Sequence, residues 1–258
     1  MMSGDQSGSN ALRIWQFSDT HLFSDEAGEL YGINCLASLR RVFVLAMTKG
    51  GSAELAIFTG DLVHDGSVEA YQRLATEIET LGVTAYCLPG NHDDPTVMRS
   101  VLSTANVRCD SHIIAGAWSI VMLDTTVTGS DSGRLGEREL NRLVSLLEHH
   151  PEKHTLLALH HPPLPTRMDW LDRDVTLDNP ERLQEIVKAY SNIRGVIWGH
   201  AHQASIELRD GCTWAACPST MAQFKPDVAE FSLDALQPGF RWLDLYPDGK
   251  IETDIIRL

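Results

Sequence analysis

Five short polar segments punctuate the 258-residue chain: Asp19-Thr20-His21, Gly60-Asp61, Gly90-Asn91-His92-Asp93, His160-His161-Pro162 and Gly199-His200-Ala201-His202. None contains a thiol. Carboxylate, amide and imidazole groups are oxygen and nitrogen donors. That set suits Fe, Mn, Zn or Co rather than a thiolate zinc site. Gathered around two ions, such donors ready water for attack on a phosphate ester. Taken singly, most have a plainer reading. Asp-x-His reads as a surface loop, Gly-Asp as a turn, and Gly-Asn-His-Asp as turn or site alike. His160-His161-Pro162-Pro163 also fits a strand end before a proline stop. The joint pattern is different, because each segment directly follows an apolar run that reads as a buried strand.

Those runs alternate with helical spacing. Leu12–Phe17 predicts a strand, followed by an acidic, glycine-containing loop over 18–32. Residues 35–47 predict a helix with Leu36, Leu39, Val42, Phe43 and Ala46 on one side. Leu55–Thr59 predicts a strand, 68–81 a helix stopped by Gly82, and Thr84–Leu88 a strand. The order β-α-β-α-β predicts a largely parallel sheet with helices packed on it. Beyond it, 111–115 and 118–123 predict a hairpin across Gly116, Glu137–His149 a helix and 155–159 a strand. Residues 162–180 read as loop, 181–190 as helix and 195–198 as strand. Asp210-Gly211 marks a hairpin between 206–209 and 213–216, and Pro247-Asp248-Gly249 turns between 240–246 and 250–256. The expectation is a flexible polar tail, residues 1–10, and a single domain with two sheets, residues 11–258.

In open α/β sheets, ligands collect beyond the carboxyl ends of the strands, where all five segments fall. Residues two apart on an extended chain share a side, so Asp19 and His21 can serve one ion. The Asp61 carboxylate can bridge two, and Gly60 lets the backbone come close. Pro89-Gly90 aims the amide oxygen of Asn91.

Hydrophobic content of 43% and charged content of 22% are ordinary for a globular chain. A formal charge of −14 argues against a broad nucleic-acid face, which needs a basic stripe. The first ten residues lack the basic and apolar regions of a secretory signal. No apolar run approaches the roughly 20 residues of a membrane span. The five cysteines are odd in number and form no Cys-x-x-Cys pair. Free thiols in a reducing cytoplasm are therefore expected.

Taken together, the polar segments resemble the calcineurin-like metallophosphoesterase superfamily. Its pattern, D-x-H, G-D-x-x-x-x-G, G-N-H-D/E, H-x-P and G-H-x-H, is met in order from Asp19 to His202. The second element is Gly60-Asp61-Leu62-Val63-His64-Asp65-Gly66. Three flanking stretches resemble the bacterial class III cyclic AMP phosphodiesterases within it: Leu30-Tyr31-Gly32-Ile33-Asn34, the run from Pro218 to Pro226, and Gln237-Pro238-Gly239-Phe240-Arg241.

The resemblance implies an α/β fold, a four-layer α/β/β/α sandwich with two mixed β-sheets flanked by helices. It implies that Asp19, His21 and His202 hold one metal, that Asn91, His160 and His200 hold a second, and that Asp61 bridges them. His92 would be no ligand but the proton donor to the leaving oxygen. His21, Asp61, Asn91, His92 and His202 would face the substrate. His161 would support the ligands from behind, and His64, His112, His149, His150 and His154 are expected to be solvated. The resemblance favours two Fe or Mn ions, with Zn or Co also compatible. Two divalent ions, two carboxylates and a bridging hydroxide leave a charge of about plus one, which attracts a monoanionic diester. The implied reaction is hydrolysis of cyclic AMP to the 5′ nucleotide. The alternatives are a broader phosphodiesterase for glycerophosphodiesters or 2′,3′-cyclic nucleotides, and a non-catalytic binding module. A lost ligand or a lost equivalent of His92 would mark the latter, and here all are present. The expected partner is a small cyclic nucleotide, with no nucleic acid or membrane, and the chain is expected to be a monomer or homodimer. Candidates for adenine contact are 163–179 and 219–224, and Trp170 in the first fits core or rim packing equally well.

Overall fold

Alternation along the strands decides the architecture. In β1 (Leu12–Phe17), Ile14 turns toward one core while Trp15 and Phe17 turn toward another. In β4 (Leu55–Thr59), Leu55 and Ile57 join the first core, and Ala56 and Phe58 the second. Strands apolar on both faces must be covered on both. The computed structural model, which describes residues 11–258, shows what covers them. The tail 1–10, expected to be flexible, lies outside the described residues.

One sheet runs in the order β16 (Ile251–Arg257), β15 (Gly239–Leu245), β1, β4, β5 (Thr84–Leu88), β6 (Val107–Arg108). Its last four strands are parallel, and β15 and β16 are added antiparallel. The other runs β11 (Ser205–Arg209), β12 (Cys212–Ala216), β10 (Ile193–Trp198), β9 (His154–Ala158), β8 (Trp118–Met122), β7 (His112–Ala115). Its four central strands are parallel, and β7 and β11 fold back as antiparallel edges. Between the sheets lies a core holding Ile14, Ile57 and Leu88 from one and Trp118, Ile120, Leu156 and Ile197 from the other.

Helices α1 (Cys35–Lys49), α2 (Val68–Glu79) and α3 (Pro95–Val101) cover the outside of the first sheet. Helices α4 (Glu137–His149) and α6 (Pro180–Ala189) cover the second. The layers are therefore helix, sheet, sheet, helix, as the resemblance implied. In the first outer core, Phe17 meets Phe43 and Phe58 at ring separations of 4.9 and 5.2 Å. Burying each such side chain contributes about 1.5–3 kcal/mol. Asn34 caps α1 by accepting from the Ala37 N–H at 2.7 Å, and Ser67 caps α2 through the Ala70 N–H at 3.2 Å.

Two short helices depart from the expectation. The seven-residue α3 has Asp94 as cap and Pro95 in its first turn, but too few turns to show a period. The six-residue α5 (Asp169–Asp174) lies inside 162–180, which had read as loop. Two small ladders also sit above the strand ends. They are β2 (Glu29–Leu30) with β3 (Ile33–Asn34), and β13 (Gln223–Phe224) with β14 (Leu233–Asp234).

Two buried polar side chains tie the sheets together. The Gln16 amide donates to Thr59 Oγ1 and to the Trp198 carbonyl, both at 3.2 Å. The Arg241 guanidinium, on β15, donates to the carbonyls of Ala216 (2.9 Å) and Ser205 (3.0 Å) in the other sheet. The carboxyl ends of β1, β4, β5, β9 and β10 are thus held on one side of the molecule.

Candidate metal centre

Three of these strands, β1, β4 and β10, run directly into left-handed backbone. Asp19, His21, Asp61, His200 and His202 all have positive φ, between 43° and 63°. They make up five of the nine non-glycine residues in that region among the described residues. Left-handed backbone at such residues costs of order 1–3 kcal/mol each and persists only where the surroundings enforce it. Here hydrogen bonds between the loops do so. The N–H groups of Asp19 and His21 donate to the carbonyls of Gly60 and Asp61, each at 3.0 Å. The expectation that Asp19 and His21 converge along an extended strand is therefore corrected: two left-handed residues, not a pleat, aim them together.

Glycine is required where the loops touch. A Cβ on Gly90 would strike the Asp61 carboxylate and come within 2.7 Å of His160 Nε2. Gly60, at φ 86°, has no room for one beside His160 and the Gly90 backbone. Asp93 straps the same loops. Its carboxylate accepts from the N–H groups of Gly90 (2.8 Å), Leu62 (3.1 Å) and Val63 (3.2 Å), and from the Tyr71 hydroxyl (2.8 Å). Sequence reasoning gave Asp93 no such role, although it closes the Gly-Asn-His-Asp segment.

The seven expected ligands come together. On one side, His21 Nε2 is 3.1 Å from His202 Nε2 and 3.6 Å from Asp61 Oδ2, and His202 Nε2 is 3.6 Å from Asp19 Oδ1. On the other, His160 Nε2 is 3.1 Å from Asn91 Oδ1, 3.1 Å from His200 Nδ1 and 3.3 Å from Asp61 Oδ1. Asp61 thus offers one oxygen to each group. The remaining ring nitrogens fix the tautomers. His202 Nδ1 donates to the Ala222 carbonyl (3.0 Å) and His160 Nδ1 to the Thr59 carbonyl (2.8 Å), since a carbonyl can only accept. Each Nε2 therefore turns inward, where its neighbours are acceptors too. Acceptors buried face to face need a positive charge among them. The hard and intermediate donor set fits divalent transition ions.

The electrostatics agree. Burial pulls His21 well below the ordinary imidazole value, His200 to about 3 and His202 to about 4, so all three are neutral and able to coordinate. Burial opposes ionisation of Asp61, yet His160 and its neighbours hold it well below the carboxylate range. Burial also opposes charge on His160, but Asp61 outweighs it and lifts the imidazole to about 9. Burial pushes Asp19 up to about 7.

His92 stands exposed on the cavity wall. Its backbone N–H donates to Asp61 Oδ1 at 3.0 Å, and its ring meets His21 edge-on at 4.9 Å. His64 is not the solvated residue expected. It is half-buried, lines the cavity, stacks on His92 at 4.8 Å, and brings Nδ1 within 3.4 Å of His21 Nδ1. His161 is fully buried beneath the ligands. Its Nε2 donates to the Asp131 carbonyl at 3.2 Å, so Nδ1 accepts from the Thr125 hydroxyl at 2.7 Å. His112 and His154 are engaged elsewhere, with Ser119 and the Pro247 carbonyl. His149 bonds the Ser145 carbonyl, and His150 packs on the His112 ring.

His21, Asp61, Asn91, His92, His200 and His202 floor a cavity of about 260 Å³ whose rim is aromatic: Tyr31, Trp170, Phe224 and Phe231. Phe224 lies flat on the His202 ring, 4.1 Å away and 3° from parallel. Sequence reasoning left Trp170 open and assigned nothing to Tyr31 or Phe231, since isolated aromatics in loops carry no periodic signal.

The chain belongs to the calcineurin-like phosphoesterase family, whose sequence model matches residues 12–204. Within that class it is similar to proteins named 3′,5′-cyclic adenosine monophosphate phosphodiesterase CpdA. It is 36% identical over 248 residues to the one from Haemophilus influenzae, covering 96% of this chain and 90% of that protein. It is 37% identical over 252 residues to the one from Escherichia coli K12, covering 97% and 91%. Among solved structures it resembles a dimetal phosphatase from Danio rerio, with a TM-score of 0.66 and 15% identity, covering 95% of this chain and 98% of that one. That likeness supports the fold. Among the described residues, no helix is long and apolar enough to cross a membrane.

Proposed function

We propose that this chain hydrolyses 3′,5′-cyclic AMP to 5′-AMP at a centre of two divalent ions. The observation that carries the reading is the buried ring of inward-facing acceptors around Asp61, in a chain that aligns over nearly its whole length with CpdA phosphodiesterases. Asp19, His21 and His202 would hold one ion, and Asn91, His160 and His200 the other, with Asp61 shared. Fe or Mn is favoured, and Zn or Co also suits the donors. Held there, divalent ions supply Lewis acidity toward the phosphoryl oxygens and an ionised water near neutral pH.

The chain's own groups do the rest. The His92 N–H fixes Asp61. Asp93 locks the Asp61 and Asn91 loops in register. His21, Asp61, Asn91, His92 and His202 line the cavity floor and would face the phosphate. The His92 ring is placed to give a proton to the departing 3′ oxygen. Residues 11–258 act as one domain, and the five free cysteines accord with a reducing cytoplasm.

Metal-reconstituted protein should be assayed side by side on cyclic AMP, cyclic GMP, 2′,3′-cyclic AMP and glycerophosphocholine. The highest kcat/KM is expected for cyclic AMP. Turnover of cyclic AMP no faster than that of an unnatural aryl phosphodiester would remove the substrate assignment while leaving a phosphodiesterase.

A further inference from the structure

The aromatic rim is costly to the fold in two ways. Tyr31 is 45% exposed and Phe231 43% exposed, so each leaves nearly half of its surface in solvent. Tyr31 also occupies the first position of a two-residue turn between β2 and β3, with φ of 55° at Tyr31 and 75° at Gly32. Both positive values define a type I′ turn, where Asn, Asp or Gly is preferred at that first position. A strained, exposed tyrosine there has no evident structural reason. It does have a neighbourhood: its ring lies 5.3 Å from Phe231 and 6.2 Å from Phe224. Trp170 closes the group, 5.5 Å from Phe224 and 5.2 Å from Phe231. Three separate segments converge to build it: α5, the β2–β3 turn, and β13 with its connection to β14. The buried indole N–H of Trp170 has no hydrogen-bond partner among the described residues.

The rim continues the floor. Phe224 covers the His202 ring, and the other three rings surround Phe224 on the open side of the same cavity. A ligand whose phosphate rests on the floor must carry its remainder past these faces. Aromatic faces favour flat, polarisable partners over chains or sugars. We propose that Tyr31, Trp170, Phe224 and Phe231 form a stacking platform for the nucleobase of the substrate, and that Tyr31 and Phe231 are specificity-determining residues. This rests on the phosphodiesterase reading above and adds where the base is held.

The test compares cyclic AMP with ribose 3′,5′-cyclic phosphate, which keeps the diester and lacks the base. Phe231→Ala and Tyr31→Asn are measured on both, with metal content and Tm recorded. Tyr31→Asn removes the ring but keeps a residue the turn prefers, so its Tm is expected at or above that of the parent. Loss of one stacked base corresponds to about 5- to 150-fold in affinity. The ratio of kcat/KM for cyclic AMP over the base-free diester is expected to fall within that range in each variant, through KM. Tyr31→Phe should restore it. An unchanged ratio in both variants overturns the platform, and a lower Tm alongside it would assign the rings to packing. If the parent protein cleaves the base-free diester but not cyclic AMP, the proposed function falls and the platform with it.

Discussion

The floor and the rim of the cavity are built on opposite principles. The floor takes its groups from the ends of buried strands in both sheets, and each is fixed by at least one hydrogen bond or by a packed neighbour. The rim takes its rings from short turns and a six-residue helix, and two of the four rings are exposed. The difference teaches where rigidity is needed. Charged donors buried a few ångströms apart tolerate little displacement, because misplacement leaves them unpaired in a medium of low polarity. Stacking faces tolerate more, since dispersion has broad angular minima.

If that contrast holds, variants should separate into losses of chemistry and losses of selectivity. The largest effect is expected from Asp61→Asn, which weakens both groups of donors. Bound metal should drop below one ion per chain, and kcat/KM should fall by at least about 10²–10³-fold. Metal analysis together with steady-state rates checks this, and normal stoichiometry with normal activity would contradict a bridging role. His92→Ala should lower kcat by about 10²–10⁴-fold while both ions remain bound. Unaltered turnover would rule out His92 as the acid.

Gly90→Ala should come next. Its Cβ would displace Asp61 or His160, and metal affinity should weaken by about 10–100-fold, as for other groups that orient ligands. Competition with a chelator of known affinity measures it. The smallest effect lies outside the cavity. Burial would raise the Asp65 carboxyl, but hydrogen bonds from Ser67 and Ser24 outweigh it and hold the group at about 2. A depressed carboxyl stabilises the fold above its unfolded value near 3.8 and loses that contribution as pH falls through about 2. Asp65→Asn should therefore cost roughly 1 kcal/mol at pH 7, after allowing for solvent screening, and almost nothing near pH 2. Urea unfolding at the two pH values gives the comparison.

The floor was legible in the sequence and the rim largely was not. Asp19, Asp61, Asn91, His160, His200 and His202 stood out because each follows a run whose apolar character marks a strand, and strands order their own ends. The helices over 35–47 and 68–81 were visible through their stripes, to within two residues of α1 and α2. The short α3 and α5 were not, since one or two turns give no period. Positive φ at Asp19 or His202 leaves no trace in residue type, so the reason for convergence was misjudged even where its result was anticipated. His64 was passed over because a lone histidine looks alike whether solvated or stacked. Of the rim, the stretches 163–179 and 219–224 were named without a choice of ring, and Tyr31 beside Gly32 was a further readable hint, an uncommon residue at a turn position that favours Asn or Gly.

Asp19, His21, Asp61 and Asn91 extend from one sheet, and His160, His200 and His202 from the other. Each proposed ion would therefore act as a rivet through two plates that meet elsewhere only along an oily seam and a few polar stitches. Stripping the ions should let the plates slip, and calorimetry should record this as an earlier melt; restoring them at 1,000 times Kd would return about 4 kcal/mol for each ion. The clasp proposed to cut a phosphate ester would thus also decide how long the empty protein survives in a metal-starved cell.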